Sequence, residues 1–333
     1  MTEAGTGPGL RDDLADALAA WELEPVTAVQ RAAGGTMNET FVVTTRTRRV
    51  VLRRHRRTDR SLIEREHAVI RYAIGRSIPT PPALPTPAGE VIVSRDGVCY
   101  SLFAYARGTQ VARDRLTVAE ARAMGRTLAH LHLALADCPA AAPPRPPTPA
   151  DRSRTEARLT ELLNLIMARP DRTETDRWAE QHVRTKLDWL SGHPEPARHA
   201  VPMAAQQLVH GDFQESNLFF IGDEVSDVID WDKAETRWPP EEIIRTLDLS
   251  FDLRPDLCAA LLAGYRTVRD VAPDELDRAA ANYSHDQLHG HWLFDEIYRR
   301  GNDRVRAFLE PGPYLPFTDR WVELGWTLDG EPC

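Results

Sequence analysis

Two carboxylates and an amide, spaced along one short stretch of the chain, could together bind a metal ion and act on a hydroxyl group. Asp212 follows a His-Gly pair, Asn217 comes five positions later, and Asp230 ends an apolar run. Residues 218–221 and 225–229 are apolar and are separated by a Gly-Asp-Glu turn, which predicts a hairpin. Because a hairpin brings its open ends together, we expect Asn217 and Asp230 to lie close to each other. Oxygen ligands bind hard cations, and a spare carboxylate can serve as a base, so the stretch indicates phosphoryl transfer.

The spacing from Asp212 to Asn217 is that of the kinase catalytic loop, in which a base Asp precedes a metal-binding Asn by five positions. With His-Gly-Asp for His-Arg-Asp and Ile-Asp-Trp at 229–231 for Asp-Phe-Gly, the stretch resembles the aminoglycoside phosphotransferase and choline kinase superfamily. This resemblance implies that Asp212 is the catalytic base and that Asn217 and Asp230 bind Mg²⁺. Asp232 is the alternative ligand if Asp230 faces solvent. Each Asp alone would suit a turn or a strand end, but their joint spacing favours a site.

A glycine pair near the start of the chain precedes the strand-like residues 41–43. Paired glycines let a loop bring its backbone amides close to phosphates, although a Gly-Gly turn alone is more typical of a plain hairpin bend. The resemblance implies that the nucleotide is contacted here by Gly34, Gly35, Thr36 and Asn38.

The next predicted strand, residues 50–53, presents Val51 and Arg53 on one face. By the resemblance, Arg53 occupies the position of the kinase lysine, where a guanidinium can clamp phosphate and pair with a carboxylate. Glu66, on a helix predicted over 61–75, is its implied partner. Glu64 lies on the other side of that helix, so only one of the two can face the strand. The alternative is that Arg53 is one solvated arginine among the eight between positions 46 and 60.

Residues 98–105 predict a further strand that leads into a connection resembling the kinase hinge. The resemblance implies that Phe103 lies behind the adenine ring. It also implies that the backbone groups of Ala104 and Ala106 bind the base. Backbone groups place few demands on side-chain identity, so this prediction depends on the resemblance alone.

The fold class that follows is α+β, with a bilobal protein-kinase-like architecture. We expect a leader and N-terminal helix in residues 1–24. A small, mainly antiparallel β N-lobe with one key helix should span 25–104, and a larger, mainly helical C-lobe should span 105–333. Thr117 and Glu120 form a capping box that begins a helix ending near residue 136. Further helices are predicted at 154–168, 178–190, 240–251, 255–269, 274–298 and 303–308.

The predicted helix over 274–298 carries polar residues that could line an acceptor pocket, namely His285, Asp286, His289, Asp295 and Glu296. The two histidines are four positions apart, which permits a zinc pair, but no third ligand is evident and packing or pocket lining is favoured. The carboxylates would supply countercharge to a cationic acceptor. A neutral acceptor would instead depend on the histidines and on Trp292.

Composition narrows the classes of function. The chain has 333 residues and a formal charge of −9, although arginines crowd residues 46–60. That cluster raises the possibility of nucleic-acid binding, which the acidic remainder disfavours by repelling a polyanion. No stretch is apolar enough for a membrane segment, and no basic-then-apolar signal pattern begins the chain, so we expect a cytoplasmic protein. We expect a monomer or dimer with no nucleic-acid or membrane partner.

The function predicted is transfer of the γ-phosphate of ATP or GTP, with Mg²⁺, to a hydroxyl of a small molecule. An aminoglycoside or another antibiotic is the first expectation for the acceptor. A metabolic kinase for homoserine, choline, methylthioribose or fructosamines is the alternative within enzymes, and the motifs do not separate the two. A nucleotide-binding pseudokinase that regulates a partner is the alternative outside enzymes, and the presence of all three oxygen-bearing residues argues against it.

Overall fold

A six-stranded antiparallel sheet builds the first part of the molecule. The computed structural model describes residues 8–32, 38–57, 59–144, 150–194, 198–309, 311 and 314–328. The strands lie in the order β1-β2-β3-β6-β4, and β5 pairs with β6 beside them. Their bounds are β1 Val26–Arg31, β2 Glu39–Thr45, β3 Arg49–Arg54, β4 Ala83–Leu84, β5 Val93–Arg95 and β6 Val98–Ala104. A turn at Gly97, with φ of +77°, joins strand β5 to β6.

The two faces of this sheet have different partners. Val50 and Leu52 on β3 are fully buried against helix α1 (Pro8–Leu18) and the Trp21 that follows it. Val51 and Arg53 alternate with them and therefore point to the opposite face. The N-terminal helix thus contributes to the core of the N-lobe.

Helix α2 (Arg60–Gly75) crosses the face of the sheet that carries Arg53. Asp59 caps the helix by accepting a hydrogen bond from the backbone amide of Ser61. The helix therefore begins at Arg60, one residue before the predicted start at position 61. Its inner side buries Glu66 and His67. The helix predicted as the key element of the N-lobe is therefore present and faces β3.

The rest of the chain is mainly helical, as the sequence predicts. The long helices are α3 Val118–Leu135, α4 Arg152–Met167, α5 Glu174–Gly192, α6 Pro239–Phe251, α7 Pro255–Arg266, α8 Pro273–His289 and α10 Phe317–Leu328. Two small ribbons lie among them: β7 Gln207–Val209 pairs with β10 Glu235–Arg237, and β8 Leu218–Ile221 pairs with β9 Glu224–Val228. The capping box of Thr117 and Glu120 at the start of α3 is confirmed. Within the described residues, no helix is both long and apolar enough to cross a membrane.

The continuous helix predicted over 274–298 is wrong. Helix α8 ends at His289, and a three-residue helix α9 (Trp292–Phe294) and a π turn (Asp295–Arg299) follow. The helix breaks at Gly290, whose φ of −68° and ψ of 126° are extended, and Lys186 Nζ donates to the backbone carbonyls of Gln287 and Gly290 at 2.7 and 2.6 Å. Residues 303–308 likewise form a 3-10 turn, so the helix predicted there is wrong in type.

Candidate active site

The loop that carries Asp212 is held by backbone contacts on both sides. Gly211 has φ of +80°, and a Cβ at this position would lie 2.1 Å from the carbonyl oxygen of Lys233. The amides of His210 and Gly211 both donate to the carboxylate of Glu242, the first at 3.3 Å. Glycine is therefore required at position 211 for the loop to pass so close to the Lys233 backbone. The carboxylate of Glu242 fixes the loop by accepting both amide hydrogen bonds.

Asp212 is 5% exposed, and both its carboxylate oxygens have charged partners. Lys233 Nζ lies 3.1 Å from Oδ2, and an Arg245 nitrogen lies 2.8 Å from Oδ1. Gln214 and Asn217 donate to Oδ2 at 3.3 Å. Burial opposes ionisation of this carboxyl, but Lys233 and Arg245 outweigh it and hold the pKa of Asp212 below its usual range. The group is therefore an ionised carboxylate with a fixed orientation.

The predicted hairpin is present between Asn217 and Asp230. Strands β8 and β9 pair from Leu218 with Val228 onward, and the amide of Ile229 donates to the Asn217 carbonyl at 2.9 Å. Asp230 has left-handed backbone angles, φ 66° and ψ 64°, and its side chain is 39% exposed. A non-glycine residue in this conformation is strained and is typical of functional sites. The hairpin thus joins the loop of Asp212 to an accessible carboxylate.

Arg53 connects the N-lobe to this carboxylate. Its guanidinium pairs with Glu66 at 2.6 Å and with Asp230 at 3.4 Å, and it lies over the ring of Phe103 at 5.3 Å. Burial raises the pKa of Glu66 and Arg53 opposes that rise. Of the two glutamates considered, Glu66 is the one that faces β3, while Glu64 pairs with Arg60 on the surface.

Asp232, the alternative metal ligand, has a different environment. Its side chain is 4% exposed and lies 3.8 Å from Arg57, which also donates to the Asp232 carbonyl at 3.0 Å. Burial, and then the nearby Asp230, raise the pKa of Asp232. Asp230 is therefore the more accessible of the two carboxylates to a ligand in the cleft.

The remaining residues of the predicted nucleotide site fall into two groups. Gly34, Gly35 and Thr36 lie outside the described residues. Asn38 is buried and accepts from the backbone of Arg56 at 3.3 Å, so it ties the start of β2 to the end of β3. Val51 and Phe103 are register partners on adjacent strands. Ala104 ends β6, and Ala106, two residues on, is buried.

The predicted acceptor residues split between two places in the C-lobe. On α8, His285 and Asp286 contact Arg198, the first at 3.2 Å, and His289 contacts Thr155 of α4 at 2.8 Å. The rings of His285 and His289 are 4.5 Å apart. His289 also lines a cavity of about 520 Å³ between α4 and the end of α8.

Asp295 and Glu296 lie beyond the break in α8 and are paired with cations. Asp295 contacts His291 at 2.6 Å and Arg158 at 3.2 Å, and Glu296 contacts Arg300 at 2.5 Å. Within the described residues, no ion pair joins either carboxylate to the cluster around Asp212. Their proposed role as countercharge for a cationic acceptor stays a prediction, and their own pairs weigh against it.

Three residues that support the site were not found by sequence reasoning. Glu242 is buried on α6, where its carboxylate accepts hydrogen bonds from the amides of His210 and Gly211 and pairs with His132 at 2.9 Å. His132 in turn contacts Tyr265 of α7 at the same distance. Lys233 and Arg245 pair with Asp212. Two glutamates, Glu241 and Glu242, lie in the first turn of α6, and this is a weak signal for Glu242, because such residues commonly serve the helix dipole.

Taken together, an antiparallel sheet with one crossing helix, a helical lobe and a cleft between them define the protein-kinase-like fold of small-molecule kinases. A model of the phosphotransferase enzyme family APH matches residues 28–280. The chain belongs to this family and is a small-molecule kinase.

Similar proteins within this class act on different acceptors. The homoserine kinase of Brucella ovis is 26% identical over 266 residues, which are 77% of this chain and 75% of that protein. A solved spectinomycin phosphotransferase, in complex with ADP and spectinomycin, aligns with a TM-score of 0.63 at 14% identity, covering 96% of this chain and 94% of that one. An amicoumacin kinase, in complex with AMP-PNP, Ca²⁺ and Ami, aligns with a TM-score of 0.58 at 14% identity, covering 93% and 96%. These structural likenesses establish the fold.

Proposed function

We propose that the protein transfers the γ-phosphate of ATP or GTP to a hydroxyl group of a small molecule, with Asp212 acting on the acceptor. The observation that carries this proposal is the pair of opposed groups at the cleft. Asp212 lies on the C-lobe loop, and Arg53, with Glu66, reaches Asp230 from the N-lobe. Such an arrangement can hold nucleotide phosphates on one side and orient a hydroxyl on the other.

Asn217 and Asp230 are the residues that would hold Mg²⁺, because amide and carboxylate oxygens suit a hard cation. Among the described residues, no cluster of three or more His, Cys, Asp or Glu side chains could bind a metal by itself. The ion would therefore complete its shell with phosphate oxygens and water. When bound, it would neutralise charge on the phosphates.

Asp212 would accept a hydrogen bond from the acceptor hydroxyl and orient its oxygen toward the γ-phosphate. Because the pKa of this carboxyl is held low, it is a weak base, and proton transfer would come late, after the new P–O bond has begun to form. Orientation and charge neutralisation would then provide most of the rate enhancement.

For the acceptor, the charges around Asp212 favour a metabolic hydroxy compound over a polycationic aminoglycoside. The charged side chains that contact Asp212, Lys233 and Arg245, are both cations and would repel an amine of a polycationic acceptor at short range, although Glu242 also acts on Arg245. Asp295 and Glu296 already have cationic partners. The 26% identity to homoserine kinase supports the same choice. An antibiotic is the second candidate for the acceptor, and the structural similarity to the spectinomycin and amicoumacin kinases supports it.

A substrate panel tests both levels of the proposal. Purified protein is incubated with MgATP or MgGTP and with homoserine, choline, methylthioribose, a fructosamine, spectinomycin or kanamycin, and the phosphorylated product is measured by mass spectrometry. We expect kcat/KM for the best metabolic acceptor to exceed that for the best antibiotic by at least about tenfold, a difference of about 1.4 kcal/mol. A preference for an aminoglycoside would reverse the choice of acceptor, and absence of any transfer despite nucleotide binding would contradict the function.

A further inference from the structure

Lysine is rare in this chain, and one of its two lysines lies at the proposed catalytic carboxylate. Of 41 Lys and Arg residues, only Lys186 and Lys233 are lysines. Lys186 is buried, and its three-donor ammonium binds two carbonyls where α8 ends. Lys233 contacts Asp212. An ammonium is a compact point charge, whereas a guanidinium is a planar fork, so the two lysines occupy positions that call for a point charge.

The backbone of Lys233 is fixed between Asp212 and Asp230. The turn Trp231–Lys233 follows Asp230 directly, and the Lys233 carbonyl is packed against Gly211 so closely that a Cβ there would lie 2.1 Å away. The Cα of Lys233 cannot move far without displacing the catalytic loop. Its side chain is nevertheless 44% exposed, so the ammonium itself can turn from Asp212 toward a ligand in the cleft.

Asp212 does not need Lys233 for its own neutralisation. Arg245 already pairs with Oδ1 at 2.8 Å, and its side chain is 29% exposed. Lys233, at Oδ2, is the more exposed of the two cations, so it is the one that can leave Asp212 for a ligand. A transferring phosphoryl group spreads negative charge over its three equatorial oxygens and would be stabilised by an ammonium that turns toward it.

We infer that Lys233 is a catalytic residue whose ammonium binds the γ-phosphoryl oxygens during transfer, while Arg245 remains on Asp212. The inference rests on the proposed phosphotransferase function. In the step, the bond from the γ-phosphorus to the β,γ-bridging oxygen breaks and a bond to the acceptor oxygen forms. The nucleoside diphosphate leaves with the electron pair of the broken bond, and the acceptor proton passes to Asp212. Lys233 takes no part in this proton transfer.

Steady-state kinetics of Lys233→Met, Lys233→Arg and Arg126→Met test the inference. Arg126 is a matched control because it is a partly exposed cation, paired with Glu224, outside the site. We expect Lys233→Met to lower kcat by about 100-fold or more, with the Kd for MgATP changed by less than about threefold. Lys233→Arg should recover part of the lost kcat, and Arg126→Met should behave as wild type. Equal thermal unfolding midpoints would exclude misfolding as the cause.

A chemical probe tests position independently of rate. An acyl-phosphate derivative of ATP carries a carbonyl on the γ-phosphate, and a nearby amine that attacks it forms an amide and releases ATP. Arg53 cannot be acylated in this way and Lys186 is buried, so we expect the label on Lys233, with loss of the label in excess ATP and in Lys233→Arg.

The outcomes separate the two proposals. Wild-type kcat in Lys233→Met, or unlabelled Lys233 in a protein that binds MgATP and transfers phosphate, would overturn the role of Lys233 alone. A wild-type chain that neither binds MgATP nor transfers phosphate to any acceptor would overturn the phosphotransferase proposal and this inference with it.

Discussion

The surroundings of Asp212 suit the role that we propose for it, which is to orient a hydroxyl more than to remove its proton. Two cations stabilise its ionised form, so its pKa lies below the usual range and its basicity is correspondingly weak. Four hydrogen-bond donors, from Lys233, Arg245, Gln214 and Asn217, fix the plane of the carboxylate. An acceptor oxygen would therefore meet a rigid partner with little freedom to reorganise.

Replacement of this carboxylate tests that role. We expect Asp212→Asn to lower kcat by about 100-fold or more, because the acceptor loses its charged partner, while nucleotide affinity stays nearly unchanged. Turnover with the preferred acceptor and nucleotide titration by calorimetry provide the two measurements. If the variant keeps wild-type turnover, Asp212 is not the base.

Asp230 and Asp232 differ in exposure, which separates their expected roles. We expect Asp230→Ala to abolish the dependence of nucleotide affinity on Mg²⁺, because the amide of Asn217 cannot replace a carboxylate on a hard cation. Asp232→Asn, at the buried position beside Arg57, is the matched control and should keep that dependence. Nucleotide titrations with and without Mg²⁺ measure it, and the reverse pattern would assign the ligand to Asp232.

At the scale of elements, helices α3 and α7 cross with almost no space between their backbones. A Cβ at Gly125 would lie 2.0 Å from the carbonyl of Leu261, and a Cβ at Gly264 would lie 2.0 Å from the carbonyl of Arg122. Each helix thus uses a glycine where the other passes. The crossing also affects the candidate site. His132 of α3 contacts Glu242, and Tyr265 of α7 contacts His132.

Gly125→Ala should therefore destabilise the protein, because the methyl group can be accommodated only if the helices separate. Overpacking of this kind costs about 1–3 kcal/mol. Gly192→Ala, in the last turn of α5 with nothing within 4 Å of its Cβ, is the control and should be neutral or stabilising by up to about 1 kcal/mol. Urea unfolding measures both, and equal stabilities for the two variants would contradict the tight crossing.

The elements that could be predicted from the sequence are those whose cause is local. The hairpin between Asn217 and Asp230 follows from apolar runs and turn residues, and the start of α3 follows from the capping box of Thr117 and Glu120. The break in α8 has a local signal, Gly290, which the prediction of one continuous helix overlooked, whereas the Lys186 that binds its carbonyls lies about a hundred positions earlier in the chain and has no local signal. Glu242 and Arg245 were missed for the same reason, because only the fold brings α6 to the catalytic loop.

At the scale of the whole molecule, charged pairs link the lobes across the cleft. Arg53 reaches Asp230, and Arg57 reaches Asp232, so two N-lobe arginines contact the segment after β9. Arg107, three residues after β6, binds Asp227 of β9 through its backbone amide at 2.7 Å and through its guanidinium at 3.2 Å. The segment after β6 is thus fixed to the hairpin of β8 and β9. The pairs of Arg53 with Asp230 and of Arg57 with Asp232 are ones that a nucleotide with its cation could replace.

The stability of the whole molecule should depend on two buried histidines of the N-lobe. His55 and His67 both contact the hydroxyl of Ser101, at 3.0 and 2.8 Å, and all three residues are almost fully buried. Burial, followed by the charge of Arg53, lowers the pKa of His55 to about 3 and that of His67 to about 4. Both rings are therefore neutral in the folded protein over the range in which the unfolded chain takes up protons.

Both folded-state pKa values lie below the unfolded value near 6.5. The free energy of unfolding is therefore not reduced by these histidines above about pH 6.5, and it declines as the pH falls toward 4. At pH 5, each histidine should lower the free energy of unfolding by about 2 kcal/mol relative to neutral pH, because only the unfolded chain takes up the proton. Burial raises the pKa of Glu66 and Asp232, which acts in the opposite direction, so a difference measurement is required. The control is His55→Gln with His67→Gln, which retains hydrogen-bonding groups for Ser101 but cannot titrate. Urea unfolding at pH 7.5, 6 and 5 measures the stability of both proteins. Between pH 7.5 and 5, wild type should lose about 4 kcal/mol more unfolding free energy than the double variant. Parallel pH curves for the two proteins would contradict the assignment.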